Sequence, residues 1–159
     1  MDHLAQLGFL AAELTLKGRT ISEEYGAAEA GIVFCNANAS LDADLHYFDS
    51  VKNIPSPAQF VYTLPNIVIG EISIRHRLKG ENAFFVQENF DPSFVEFYVS
   101  DLFARHRLKV CLCGWVEYLG GNYKSVIYLV ENKPGNRYLQ FTIDNIHQIY
   151  DRANGEING

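Results

Sequence analysis

The stretch GENAFFVQENFDPSFVEFYVSDLF, residues 80–103, decides how the chain is read. Its run AFFVQ is apolar and aromatic between polar neighbours, the pattern of a short strand. Asp91 before Pro92 is a helix start: the carboxylate caps free N–H groups, and proline suits the first helical position. Phe94, Val95, Tyr98 and Leu102 then share one helical face. The stretch is therefore a strand, a tight bend and an amphipathic helix. In many α/β enzymes such a bend holds a nucleophile. Here it holds Gln87, Glu88, Asn89, Phe90 and Asp91, with neither cysteine nor serine.

Working outward, LKVCLCGWVEYL (108–119) is mostly apolar, as expected of a strand buried on both faces. GGNYKSVIYLVEN (120–132) is a turn and another strand. KPGNRY (133–138) is a turn, YLQFTI (138–143) a last strand, and DNIHQIYDRA (144–153) a short helix capped by Asp144. On the other side, Leu4, Leu7, Leu10, Ala11 and Leu14 mark an opening amphipathic helix that Gly18 stops. A polar connection containing ISEEYGAAEA follows. GIVFCNANA (31–39) is a buried strand ending at Cys35 or Asn36. Leu41, Leu45, Phe48 and Val51 give SLDADLHYFDSV helical periodicity, with Asp42 near the first turn. Residues 52–57 break it with two prolines. Ser56 caps a helix over 56–64 with Pro57 at its first position. NIVIGEISIRHRL suits a strand or a buried helix, with Asn66 as its possible N-cap and Gly70 weakening either reading. Arg75, His76, Arg77 and Lys79 read as a helix C-terminus rather than a phosphate site. Helical crossovers between early strands, then strands in sequence, predict an α/β domain with a mixed sheet flanked by helices.

The 159 residues suit one domain, here residues 1–153, with 154–159 as a flexible tail. A net charge of −6 argues against nucleic acid and anionic membranes as partners. No apolar run is long enough to cross a bilayer, and 18 N-terminal residues without a basic region do not make a signal peptide. The odd count of 3 cysteines, each in an apolar run, predicts buried free thiols and a reducing cytoplasm.

Chemistry-bearing patterns are sparse. There is no glycine-rich phosphate loop and no nucleophile elbow. None of the 5 histidines pairs with another histidine or a cysteine at ligand spacing. His46 beside Asp42, Asp44 and Asp49 reads as a solvated acidic helix face before it reads as a metal site. No metal and no cofactor are expected.

The segment PSPAQFVYTLPNIVIGEISIRHRLKGENAFFV (55–86) resembles the N-terminal half of β-ketoacyl synthases, the condensing enzymes of fatty-acid and polyketide assembly. The resemblance rests on Pro57, Phe60, Leu64, Asn66, Gly70, Ile72, Leu78 and Gly80 in order. Upstream, AEAGIVFCNANASLDADLHYFDSV matches too. Downstream, LKVCLCGWVEYL is similar to a family strand, through Gly114 and Glu117, and YKSVIYLVEN to the next. It extends over about residues 4–129 and is closest to the divergent synthase-like proteins of bacterial pigment and aryl polyene pathways.

The resemblance implies a layered, thiolase-like half-domain. It also implies that Asn89 stands, within about a residue of register, where the family has its nucleophilic cysteine. A thiolate at a helix N-terminus takes the acyl group, and asparagine forms no thioester. The family's two C-terminal histidines and its first strand have no counterpart here. The implied protein is a pseudoenzyme: a non-catalytic partner or scaffold, chain-length-factor-like, in fatty-acid or polyene biosynthesis. The family strand matched by Ala83, Phe84, Phe85, Val86 and Gln87 pairs across a dimer axis. That implies a homodimer or a heterodimer with a β-ketoacyl synthase, with acyl carrier protein as a further partner. Two other readings stand beside it. One is a small enzyme with residual acyl-thioester activity, using Asn89 as an oxyanion donor beside a nearby acid. The other is an interaction domain unrelated to lipids.

Overall fold

The computed structural model describes residues 1–133 and 138–155. Four strands form one mixed sheet in the order β2-β1-β3-β4, from β1 (Ala30–Asn36), β2 (Asn82–Val86), β3 (Val110–Leu119) and β4 (Asn122–Glu131). β1 runs parallel to both β2 and β3, with Phe34 opposite Phe84 and Gly114, and β4 returns antiparallel to β3. Because β-strand side chains alternate between faces, the sheet has two apolar layers. Ile32, Phe34, Leu112 and Val116 face one of them, and Val33, Cys35, Cys111, Cys113 and Trp115 face the other.

Helices α1 (His3–Thr15) and α5 (Ile67–His76) cover the first layer, and α6 (Pro92–Ala104) and α7 (Ile143–Gly155) the second. Shorter helices α2 (Ile21–Tyr25), α3 (Leu41–Val51) and α4 (Pro57–Val61) and a 3-10 turn at Ala27–Glu29 fill the connections. The bend and helix read from the sequence are present: the Asp91 carboxylate accepts from the N–H groups of Ser93 and Phe94, with Pro92 next to it. The cap at Ser56 also forms. Asn66 sits at the N-cap of α5 without a side-chain bond, and α5 ends in a left-handed residue, Arg77. Its basic end is thus a helix C-terminus, as expected.

Several expectations need correction. The opening helix is rotated from the expected stripe: Leu4 is buried and Leu7 packs on the core, but Ala5, Gly8 and Ala12 complete the inner face, while Leu10 and Leu14 are 63% and 74% exposed. Small residues win because α1 lies hard against α5; a Cβ on Gly8 would stand 2.4 Å from Val68. In α3 the stripe Leu41, Leu45, Phe48 and Val51 faces out, and Asp42 and Ala43 face in. Polar anchors set that rotation, with the Ser40 hydroxyl on the Thr63 carbonyl and the Gly120 N–H on Asp42. The acidic face is consequently not all solvated. The last strand does not form. Residues 138–142 are irregular, Phe141 packs into the α6 layer, and Thr142 rather than Asp144 caps α7, its hydroxyl accepting from the Asn145 N–H. Strand β2 lies at the edge of the sheet and is half exposed.

The segment read as a polar connection contains α2, which buries Ile21 and Tyr25. Helix α7 runs to Gly155, into the expected tail, and residues 134–137 of the expected turn and 156–159 lie outside the described residues.

Candidate functional site

The carboxyl ends of the parallel strands are where an open α/β sheet places its ligands. Here β1 ends in the buried Asn36, whose amide closes a tight loop: its Nδ2 donates to the Ala39 carbonyl and its Oδ1 accepts from the Ala39 N–H, at 2.8 and 2.9 Å. Ala39 itself is held at a φ of 50°. The Gln87 N–H donates to the Asn36 carbonyl at 2.8 Å, which fixes the bend beside it. From β3, Glu117 reaches across, and its Oε2 accepts from the N–H groups of Ala37 and Asn38 at 2.6 and 3.2 Å. Its Oε1, like the Oε1 of Gln87, is buried without a hydrogen-bond partner.

Asn89 lies exposed on the bend. Its acidic neighbours are Glu88, also exposed, and Asp91, which is engaged in capping α6. Next to it, Phe90 closes the corner from within. Its ring stacks on Tyr150 of α7 at 4.4 Å and meets Trp115 edge-on at 6.0 Å. The Lys124 ammonium lies 3.7 Å from the Tyr150 ring centroid, a cation–π contact. On β2, Phe85 packs edge-on against Phe94 and Tyr98 of α6.

The three thiols are free and buried, as the sequence implied. Burial, with the Asp91 charge adding, pushes the Cys35 thiol up to about 12. Burial drives Cys113 up as well. Such thiols are poor nucleophiles because the thiolate is the reactive form. In the native protein at pH 8, a disulfide reagent is expected to label less than about a tenth of the thiol within minutes. Denaturant should release all three, as read by mass.

A second polar cluster contains Asp42 and His46, which the sequence set on one acidic helix face, and adds His3, which it did not. Asp42, on the inner face of α3, is 6% exposed. Its Oδ1 accepts from the Gly120 N–H at 2.9 Å, and its Oδ2 lies 3.2 Å from His3 Nδ1 and 3.5 Å from His46 Nδ1. His3 stacks on Tyr118 at 4.6 Å. Burial acts to raise the Asp42 carboxyl, but the Gly120 N–H and the two histidines hold it below its ordinary value. A carboxyl depressed in the folded state stabilises the fold fully above its unfolded value near 4. That stabilisation is lost as pH falls through the lower folded value. Asp42→Asn is therefore expected to cost about 2 kcal/mol at pH 7 and progressively less as the pH drops below about 4, as urea melts at several pH values would read. Among the described residues, no group of three or more histidine, cysteine or acidic side chains can hold a metal.

The layers, the strand order and the antiparallel last strand define the class: a thiolase-like α/β fold with a mixed sheet between helices. Two solved structures share it. The ishigamide ketosynthase/chain length factor matches with a TM-score of 0.67 at 19% identity, over 82% of this chain and 44% of that one. The ketosynthase ApeO in complex with its chain length factor ApeC, from Xenorhabdus doucetiae, matches with a TM-score of 0.54 at 13% identity, over 96% and 72%. Both are of the kind that the sequence resembles, and at these identities what is shared is the fold. The chain spans under half the length of the first. No protein-family profile and no curated protein matches the sequence. No helix among the described residues is long and apolar enough to cross a membrane.

Proposed function

We propose that the chain is a single synthase-like domain over residues 1–153 that acts as a non-catalytic partner of a β-ketoacyl synthase, in the manner of a chain-length factor. One observation carries this reading: the corner between β2 and α6 presents an exposed Asn89 and an aromatic seal, while every thiol is buried in the sheet layers. Asn89 is then the degenerate nucleophile position. The likeness to a ketosynthase in complex with its chain length factor supports the partnership.

The contact is the outer edge of β2, residues 83–87, which no other strand of the described sheet occupies. An unpaired strand edge invites another strand. Acyl carrier protein would meet the complex through the synthase. The polyene or polyketide setting belongs to the same proposal.

Co-expression with a ketosynthase from the same cells tests it. Native mass spectrometry is expected to show a one-to-one complex, and an acyl-thioester probe to label the synthase alone. An acyl adduct on this chain, or thioester turnover that Asn89→Ala abolishes, would replace the proposal with the residual-activity reading. A strict monomer with no synthase bound would remove the partnership.

A further inference from the structure

Outside the corner, a cavity of about 380 Å³ opens between the start of α1, the inner face of α3, and α4. That volume suits a small organic ligand. Its apolar lining comes from Met1, Ala43 and Ala58, and its polar lining from Asp2, His3, Asp42, His46, Gln59 and Tyr62.

These groups are committed in a way that leaves acceptors facing in. His3 Nδ1 is taken by the Asp42 carboxylate at 3.2 Å, and His46 Nδ1 by the Asp42 backbone carbonyl at 2.7 Å. A neutral imidazole that donates from Nδ1 has a bare lone pair at Nε2. Tyr62 donates its hydroxyl to Glu71 at 2.9 Å, so its oxygen is left to accept. Asp2 caps α1 through backbone N–H groups, and burial raises its carboxyl because the charge has lost water. Asp42 of α3 touches both histidines, Asp2 before α1 acts on His3, and Glu71 of α5 holds the Tyr62 hydroxyl. Asp49, further along α3, adds to them but is tied to Lys52. No lysine or arginine lines the cavity, and its one positive charge is the Met1 amino group acting on Asp2.

We propose that this cavity binds a small organic cation, a primary alkylammonium, with its N–H groups on the imidazole, tyrosine and carboxylate acceptors and its alkyl body on the alanines. The site is independent of the role proposed for the corner.

Titration of the full chain with n-butylammonium, followed by NMR of the histidine rings, tests it at pH 7.5. Saturable shifts confined to His3 and His46 are expected. His46→Ala removes an exposed rim acceptor and should weaken binding about tenfold, the worth of one charge-assisted hydrogen bond, in a chain that circular dichroism shows to be folded. Any one of three results would overturn the site: n-butyrate or n-butanol binding as tightly as the amine, no saturable shift, or undiminished binding in the folded His46→Ala variant.

Discussion

Gly114→Ala is expected to destabilise the fold by about 3 kcal/mol, near the upper end of what overpacking a core costs. For a chain of this length that lowers the melting temperature by roughly 6–12 °C. Gly114 sits in the buried middle of β3, opposite Phe34 of β1 and Ile127 of β4. A Cβ there would lie 2.2 Å from the Val126 carbonyl oxygen and 2.9 Å from the Ile127 Cα. Both obstacles are backbone, so no rotamer change relieves them. The β3–β4 ladder itself must move, and it anchors one side of the sheet. Thermal unfolding by circular dichroism checks this, and an alanine variant as stable as the parent would show that the two strands lie further apart than described. Gly114 is also one of the residues on which the resemblance to the condensing enzymes rests. Its constraint is a packing demand of the sheet, separate from any chemistry.

Val86→Pro is expected to weaken the proposed strand-mediated association at least about 100-fold, a loss of roughly 2.7 kcal/mol, while leaving the monomer folded. The reason is the direction of the backbone. The Ile32 N–H donates to the Glu81 carbonyl and the Gln87 N–H to the Asn36 carbonyl, so the odd-numbered residues of this segment turn their amides toward β1. Alternation then points those of Phe84 and Val86 at the open edge. Proline at 86 deletes an outward donor and puts a ring in the path of an incoming strand, without touching the β1 ladder. Val86 is 55% exposed, so little packing is lost. Sedimentation of parent and variant, alone and with the synthase, reads the change. An unaltered complex would place the contact elsewhere, for instance on the outward stripe of α3.

How much of this was legible differs by element. β1 and β3 announce themselves as unbroken apolar runs, because both faces of a central strand are covered. The caps at Ser56 and Asp91 are local chemistry, so spacing alone finds them. Helix rotation is another matter. Periodicity in α1 and α3 identified helices but misjudged their rotation, since the inward side was set by a close approach at Gly8 and by tethers from Thr63 and Gly120, all distant in sequence. The strand expected at 138–143 failed because aromatic and β-branched residues there serve as a plug and a helix cap. At the corner, the missing thiol was visible and the aromatic closure was not, since Tyr150 comes from a helix 60 residues further on. In the Asp42 cluster, His46 sits one helical turn away and was visible, whereas His3 is 39 residues distant and no local pattern signals it.

Among the described residues no further strand pairs with either margin of the sheet, one along β2 and one along β4. If two chains meet β2 to β2, the operation relating them is a twofold rotation, which uses up the same margin on each and ends growth at two subunits. If β2 met β4 instead, each addition would present a fresh margin and the product would be a filament. Which margin recognises which therefore decides between a finite particle and a fibre: backbone groups would hold either pairing, and the side chains beside each margin choose between them.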